Sequence, residues 1–477
     1  MTVRQRAAVA VLAFVGSVVA EVGALRVGAP NADSVERMLT WYASAAVLFV
    51  AGAWAVRGLP LRASLSAALA GGALLQVVAV GYSPTTTDDF WRYLWDGKVQ
   101  AAGIDPYRYT PLDPALAHLR DDELFPPDPR TPEQAAAAVA SGRTDACTTR
   151  GVPHDCTWIN RPHVRTIYPP VAEGSFLLLH VASPEEHRVR ALQVALGALA
   201  VAVTAALAWA RQRAGRDPRA AVWWAWCPVV WLECANNAHI DVLGVLLLVG
   251  ALGLLAGRRL VAGGALFGAA VAVKLVPVLL VPALLVRRGH RVLAAAAGVF
   301  LVGYVPHVAA VGTDVLGYLP GYLEEEGYSG AQRFGTVRLL TPDAAAPAVA
   351  VALGVAVAVW VWRRAREVPS AADALLLAGV AFVLVGPSQP WYGLLIVALA
   401  ALANRPAWLA VAAAAYPVYQ AGNLGVDNTA MQQWCYLTAA AVVAVGEAVR
   451  RRRGSALTEP PPSSAPPRAP ASRPARG

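Results

Sequence analysis

Two adjacent carboxylates, Asp88 and Asp89, open the run Thr87-Asp88-Asp89-Phe90-Trp91-Arg92-Tyr93-Leu94-Trp95-Asp96-Gly97 directly after an apolar stretch. Taking charge out of water at such a boundary is costly, so residues of this kind are paired, protonated or put to use. A carboxylate held there can act as general base, taking the proton of an attacking hydroxyl while an electrophilic carbon gains cationic character. The plainer alternative is that Asp88 or Asp89 caps the helix that follows. In the same run Arg92 suits a phosphate contact, and Tyr93, Trp95 and Asp96 suit a platform for a hydroxyl-rich ring. Trp and Tyr are equally common as anchors at a membrane surface.

Further candidates recur along the chain. Gly103-Ile104-Asp105-Pro106-Tyr107-Arg108-Tyr109-Thr110-Pro111 is turn chemistry, in which Arg108 can grip a phosphate with two hydrogen bonds or stand solvated. Asn236-Asn237-Ala238-His239-Ile240-Asp241 is a polar knot between apolar runs. Its Asn237, His239 and Asp241 must satisfy one another, as in a capping turn, or bind a hydroxyl-rich ligand. Lys274, just ahead of Pro277, stands apart from the other basic clusters and is placed either to meet a lipid phosphate as a point charge or to snorkel to the headgroups. Glu324-Glu325-Glu326 with Arg333 and Arg338 reads as a solvated face. Gln389 and Trp391 in Gly386-Pro387-Ser388-Gln389-Pro390-Trp391-Tyr392 line a mouth that serves packing or ligand contact.

The elements that must position these groups are membrane helices. Of 477 residues, 57% are hydrophobic and 15% charged, well below the roughly 25% charge of soluble domains. Apolar runs of spanning size must be helical, because hydrocarbon satisfies no bare backbone. Such runs cover Ala7 to Leu25, Trp41 to Val56 and Ala63 to Tyr82, and then 191–210, 220–236, 240–257, 260–273, 275–286, 292–311, 344–362, 371–387, 391–403, 406–421 and 433–449. The basic start of the chain also fits a secretory signal, but two further spans follow at once without a clear cleavage site, which favours a retained helix. Val171 to Ala182 is too short to cross and reads as an interfacial or re-entrant helix. The fold expected is an all-α polytopic membrane protein, a bundle of about 12–14 transmembrane helices with a large first outer loop. Its parts are N-terminal helices over 1–82, the loop and interfacial helix over 83–190, the main bundle over 191–453 and a disordered Pro-rich cytoplasmic tail over 454–477.

Orientation follows from the basic residues. Lys and Arg are enriched in short cytoplasmic loops. With a cytoplasmic N-terminus, Arg57/Arg62, Arg211/Arg213/Arg216/Arg219, Arg258/Arg259, Arg287/Arg288/Arg291, Arg363/Arg364/Arg366 and Arg450 to Arg453 all fall inside. The same arrangement puts the C-terminus inside and the 83–166 loop, the 236–241 turn, the 312–343 loop, 389–392 and 423–433 outside. The formal charge of +9 is therefore a topology signal and no nucleic-acid stripe. Five cysteines form no CxxC pair. Cys147 and Cys156 share a loop placed outside, where a disulfide between them would persist. Outer-loop His118, His154 and His163 lack ligand spacing, so no metal is expected.

The first-loop pattern, Asp88-Asp89, Arg92-Tyr93, Trp95-Asp96-Gly97, Gln100, Gly103, Pro106-Tyr107-Arg108-Tyr109 and Pro111, resembles that of bacterial polyprenyl-phosphate-mannose-dependent mannosyltransferases of the GT-C superfamily. The resemblance places it near glycosyltransferase family 87 and the lipoglycan α-mannosyltransferases. The 236–241 knot, Lys274-Leu275-Val276-Pro277 and Pro390-Trp391-Tyr392 fit that group in the same order. The resemblance implies a GT-C-like bundle in the cell membrane and inverting transfer of a sugar, mannose by resemblance, from a polyprenyl-phosphate carrier. The acceptor would be an extracytoplasmic glycan or glycolipid, Asp88 or Asp89 the base, and no cofactor is implied beyond the lipid-linked donor. The chain differs from the group in carrying its Asp pair after the third apolar run and a long Asp/Pro/Ala-rich insertion in the loop. A transporter or flippase of lipid-linked sugars is the alternative, but transporters concentrate ionisable groups at the bilayer midplane and often repeat their halves. Here the polar groups lie at loop mouths.

Overall fold

The computed structural model describes residues 1–29, 31–126, 156–286, 289–328, 330–365 and 368–456. Cys147, His154 and most of the Asp/Pro/Ala-rich insertion lie outside the described residues, as do Arg287, Arg288, Arg366 and the tail from 457 onward. The protein is an all-α polytopic membrane protein, with no β-strand among the described residues. Six helical segments are long and apolar enough to cross a membrane: Val3–Leu25, Val35–Arg57, Leu61–Val80, Glu185–Arg213, Gly289–Glu325 and Asp343–Arg363. Five shorter apolar helices, Pro170–Ala182, Asp241–Ala256, Leu260–Val271, Ala371–Val385 and Pro390–Ala403, accompany them.

Three of the expected apolar runs are broken helices. The run 220–236 is split by Pro228 into short pieces and ends in a π-helical turn, Trp231–Asn236. The run 275–286 becomes the 3-10 turn Val276–Leu280 and the short helix Val281–Leu284, and 406–421 divides into Pro406–Trp408, Leu409–Ala413 and Ala415–Asn423. Prolines remove a backbone donor in each run, and irregular backbone survives at membrane depth only where protein surrounds it. That condition is met for the first of them: Trp223, Trp224, Trp226 and Trp231 are all buried. The helix Gly393–Ala403 is buried along nearly its whole length, so its apolarity reflects a central position and no lipid contact. The last helix, Thr429–Ala456, runs past the boundary expected at 453.

Helix Asp89–Ala101 carries the Asp pair at its N-terminus and packs on Pro170–Ala182 through Gly97, where a Cβ would stand 2.4 Å from the Phe176 carbonyl oxygen. The polar segments expected on one face do meet. Asn237 Nδ2 donates to Thr86 Oγ1 at 2.8 Å, Tyr419 Oη donates to the Thr86 carbonyl at 2.7 Å, and Arg161 bonds Glu325. Elsewhere in the bundle Arg211 donates to the Leu402 carbonyl and Arg219 to the Leu59 carbonyl at 3.3 Å.

Candidate active site

Asp88 occupies the N-cap position of helix Asp89–Ala101, yet its side chain makes no capping bond. Thr87 Oγ1 accepts the Asp89 N–H instead, at 3.2 Å. Both carboxylates turn to Asn160, whose Nδ2 donates to Asp88 Oδ1 at 2.8 Å and Asp89 Oδ1 at 2.7 Å. One amide thus holds two like charges side by side, helped by the positive end of the helix dipole. Crowding by loop atoms, then the charge of Asp89, push the Asp88 carboxyl above its usual range, while the Asn160 donor and Arg161 oppose that shift. Asp88 still keeps an open face to solvent, whereas the Asp89 side chain is only 17% exposed and points inward.

Behind Asp89 lies the polar knot. The π-turn and the left-handed Ala238, at φ 58°, unwind the chain so that His239 faces the pair; strained backbone of this kind is concentrated at functional sites. His239 is fully buried, stacked on Trp391 at 4.0 Å between centroids, and neither ring nitrogen makes a hydrogen bond. Its Nδ1 lies 3.8 Å from Asp89 Oδ2 and its Nε2 3.4 Å from Glu233 Oε2, so the imidazole bridges two carboxylates. Glu233 is fixed by Tyr416 Oη at 2.7 Å and Asn237 Nδ2 at 3.2 Å. Asn237 also accepts the Thr85 and Thr86 N–H groups, tying the knot to the loop start.

On the other side of Trp391, Lys274 Nζ donates to Asp241 Oδ2 at 3.1 Å and sits 4.6 Å above the Tyr392 ring. These groups form one end of a narrow cleft whose remaining wall is apolar: Gly244, Val245, Leu248, Val276, Pro277 and Leu395. Gln389 donates to Glu326 at 2.8 Å and accepts from Arg333, which also pairs with Glu326. Arg161 Nη2 reaches Glu325 Oε1 at 2.5 Å and holds that carboxyl below its usual value. The segments that carry Arg161, Glu325 and Gln389 are thereby clasped together.

Other sequence candidates sit elsewhere. Arg92 is buried, pairs with Asp96 at 3.0 Å and donates to the Val164 carbonyl, so its guanidinium is committed to the loop fold. Tyr93 stacks on Phe176 at 4.6 Å, and Trp95 packs edge-on against Phe125. Burial raises the carboxyls of both Asp96 and Glu173, with Glu173 well above the usual range because the Asp96 charge adds to the desolvation. Arg108 is exposed and binds the Ala310 carbonyl at 2.9 Å, in a separate groove. Asn160, Arg161, Glu233, Tyr416 and Tyr419 were not foreseen. Only Glu233, an ionisable residue at the end of an apolar run, carried a readable signal. Cys156 is disulfide-bonded, while Cys147 lies outside the described residues. Among the described residues no group of three or more His, Cys, Asp or Glu side chains is placed to hold a metal ion.

Residues 166–387, slightly under half of the chain, match the family model Glycosyltransferase family 87. The match takes in Asn237, His239, Asp241 and Lys274 and begins beyond Asp88 and Asp89. No curated protein and no solved structure matches the chain. The family match, over a bundle of membrane-length helices, supports a membrane glycosyltransferase.

Proposed function

We propose that the protein transfers a sugar, mannose by resemblance, from a polyprenyl-phosphate carrier to an extracytoplasmic glycan or glycolipid, with inversion and with Asp89 as general base. The reading is carried by one juxtaposition: an inward carboxylate beside an apolar cleft with a cation at its polar end. A lipid-linked donor needs both halves of that arrangement. Its prenyl chain matches the apolar wall, and its phosphate matches Lys274, which acts as a point charge on a leaving group that gains charge as the glycosidic bond breaks. Asp89 Oδ2, free of Asn160, takes the acceptor proton as the acceptor oxygen attacks the anomeric carbon from the face opposite the phosphate. His239 lies behind that oxygen, with its Nδ1 at 3.8 Å. Asp88, exposed where Asp89 turns inward, is the lesser candidate for the base.

The same reading puts the Asp pair on the outer face of a cell-membrane protein with both termini cytoplasmic, an orientation supported by the positive-inside pattern of the basic residues in the sequence. The donor class is tested by supplying membranes that contain the protein with radiolabelled polyprenyl-phosphate mannose or, separately, a labelled nucleotide sugar. Label entering endogenous acceptors from the lipid donor alone is the expected result. Transfer from the nucleotide sugar without a lipid intermediate overturns the donor assignment.

A further inference from the structure

A second polar groove, of about 600 Å³, opens at the far end of helix Asp89–Ala101. Gln100, Asp105, Arg108 and Tyr109 from the first loop line one side, and His307 on helix Gly289–Val311 lines the other. Eleven residues separate Asp89 from Gln100 along the helix, so the groove lies roughly 16 Å from the carboxylates at 1.5 Å per residue. The lining is built. Asp105 Oδ2 meets His307 Nδ1 at 2.8 Å, the Tyr107 ring stacks edge-on against His307 at 5.1 Å, and Arg108 Nη2 is anchored on the Ala310 carbonyl. Several polar atoms are left without protein partners among the described residues: the Tyr109 hydroxyl, His307 Nε2, Gln100 Oε1 and the remaining Arg108 donors.

Donors and acceptors therefore alternate along the groove beside an aromatic ring. Arg108 and Asp105 give the lining one formal charge of each sign, Asp105 being paired with His307, and nearby Arg165, which donates to the Arg108 carbonyl, pairs with Asp314 at 3.1 Å. Balanced charge disfavours a phosphate and suits a neutral polyol, which offers hydroxyls as both donors and acceptors. We propose that this groove grips the distal sugar rings of a linear acceptor glycan, while the reacting hydroxyl lies at Asp89. The proposal rests on the glycosyltransferase reading and adds the demand that the acceptor extend several rings beyond the point of transfer.

The test is saturation-transfer NMR on the purified full chain in detergent, with methyl α-mannoside and a longer linear oligomannoside as probes and inorganic phosphate as competitor. The oligomannoside is expected to bind, to outlast added phosphate, and to lose about tenfold in affinity in His307→Ala and in Arg108→Ala. Asp89→Asn should retain that binding. Tyr109→Phe, which removes one exposed hydroxyl with no cost in packing, is expected to weaken binding in the same direction and guards against loss of fold. Absence of oligomannoside binding to the unaltered protein, displacement by phosphate, or undiminished affinity in the groove variants overturns the proposal. Groove binding in a protein that transfers no sugar would instead refute the glycosyltransferase reading alone.

Discussion

Lys274→Met separates structural from ligand-binding roles in the cleft. Lys274 Nζ lies 3.1 Å from Asp241 Oδ2, and their side chains are only 18% and 9% exposed. Removing the cation leaves Asp241 charged and nearly dry, which costs about 3 kcal/mol, at the low end for a broken buried pair because Lys274 retains some solvent. Adding Asp241→Asn removes the stranded charge, so the double variant is expected to recover most of that stability in thermal unfolding. It should not recover the donor. A charge-assisted contact to phosphate is worth about 1.5–3 kcal/mol, so donor KM is expected to rise about 10- to 100-fold in both variants. A stable double variant with an unaltered donor KM would refute the assignment of Lys274 to the lipid phosphate. A single variant with undiminished stability would refute the account of the pair.

Three other outcomes follow from the geometry. Asn160→Ala removes the donor shared by both carboxylates and one of the contacts holding the Asp88 carboxyl down; transfer is expected to fall about tenfold, with the acid limb of the pH profile moved to higher pH. Glu173→Gln tests the buried acid. Because folding raises its carboxyl well above the usual range, the folded state binds more protons than the unfolded one, so this group costs stability as pH rises above about 4.3 and nothing below. Urea unfolding against pH should show the variant gaining on the unaltered protein by up to about 1.4 kcal/mol per pH unit. Gly97→Ala forces a methyl against the Phe176 carbonyl and should cost about 1–3 kcal/mol in thermal unfolding while displacing the helix that carries Asp89.

The membrane class, the all-α fold and the gathering of Asp89, His239, Asp241, Lys274 and Trp391 could be read from residue types and spacing, because charge at the edge of an apolar run is costly and conspicuous. A lone Asn160 or Arg161 in a polar loop has no such signature, and its partners are set by the closing of the chain. Arg92 and Asp96 show the reverse. Their i,i+4 spacing is that of an ion pair on one helix, and the structure makes it the core of the loop. Where the helices break was not legible, because apolarity alone does not distinguish a helix in lipid from one enclosed by protein. Gly393–Ala403 and the pieces around Pro228 belong to the second kind.

The central claim, that Asp89 removes the acceptor proton in transfer from a polyprenyl-phosphate sugar, is tested most directly by measuring transfer of radiolabelled sugar from that donor in membranes bearing the unaltered protein, Asp88→Asn or Asp89→Asn at equal abundance. Loss of a general base costs about 10²- to 10⁴-fold, so Asp89→Asn is expected to fall by that much while Asp88→Asn keeps measurable transfer. Undiminished transfer in Asp89→Asn would contradict the account.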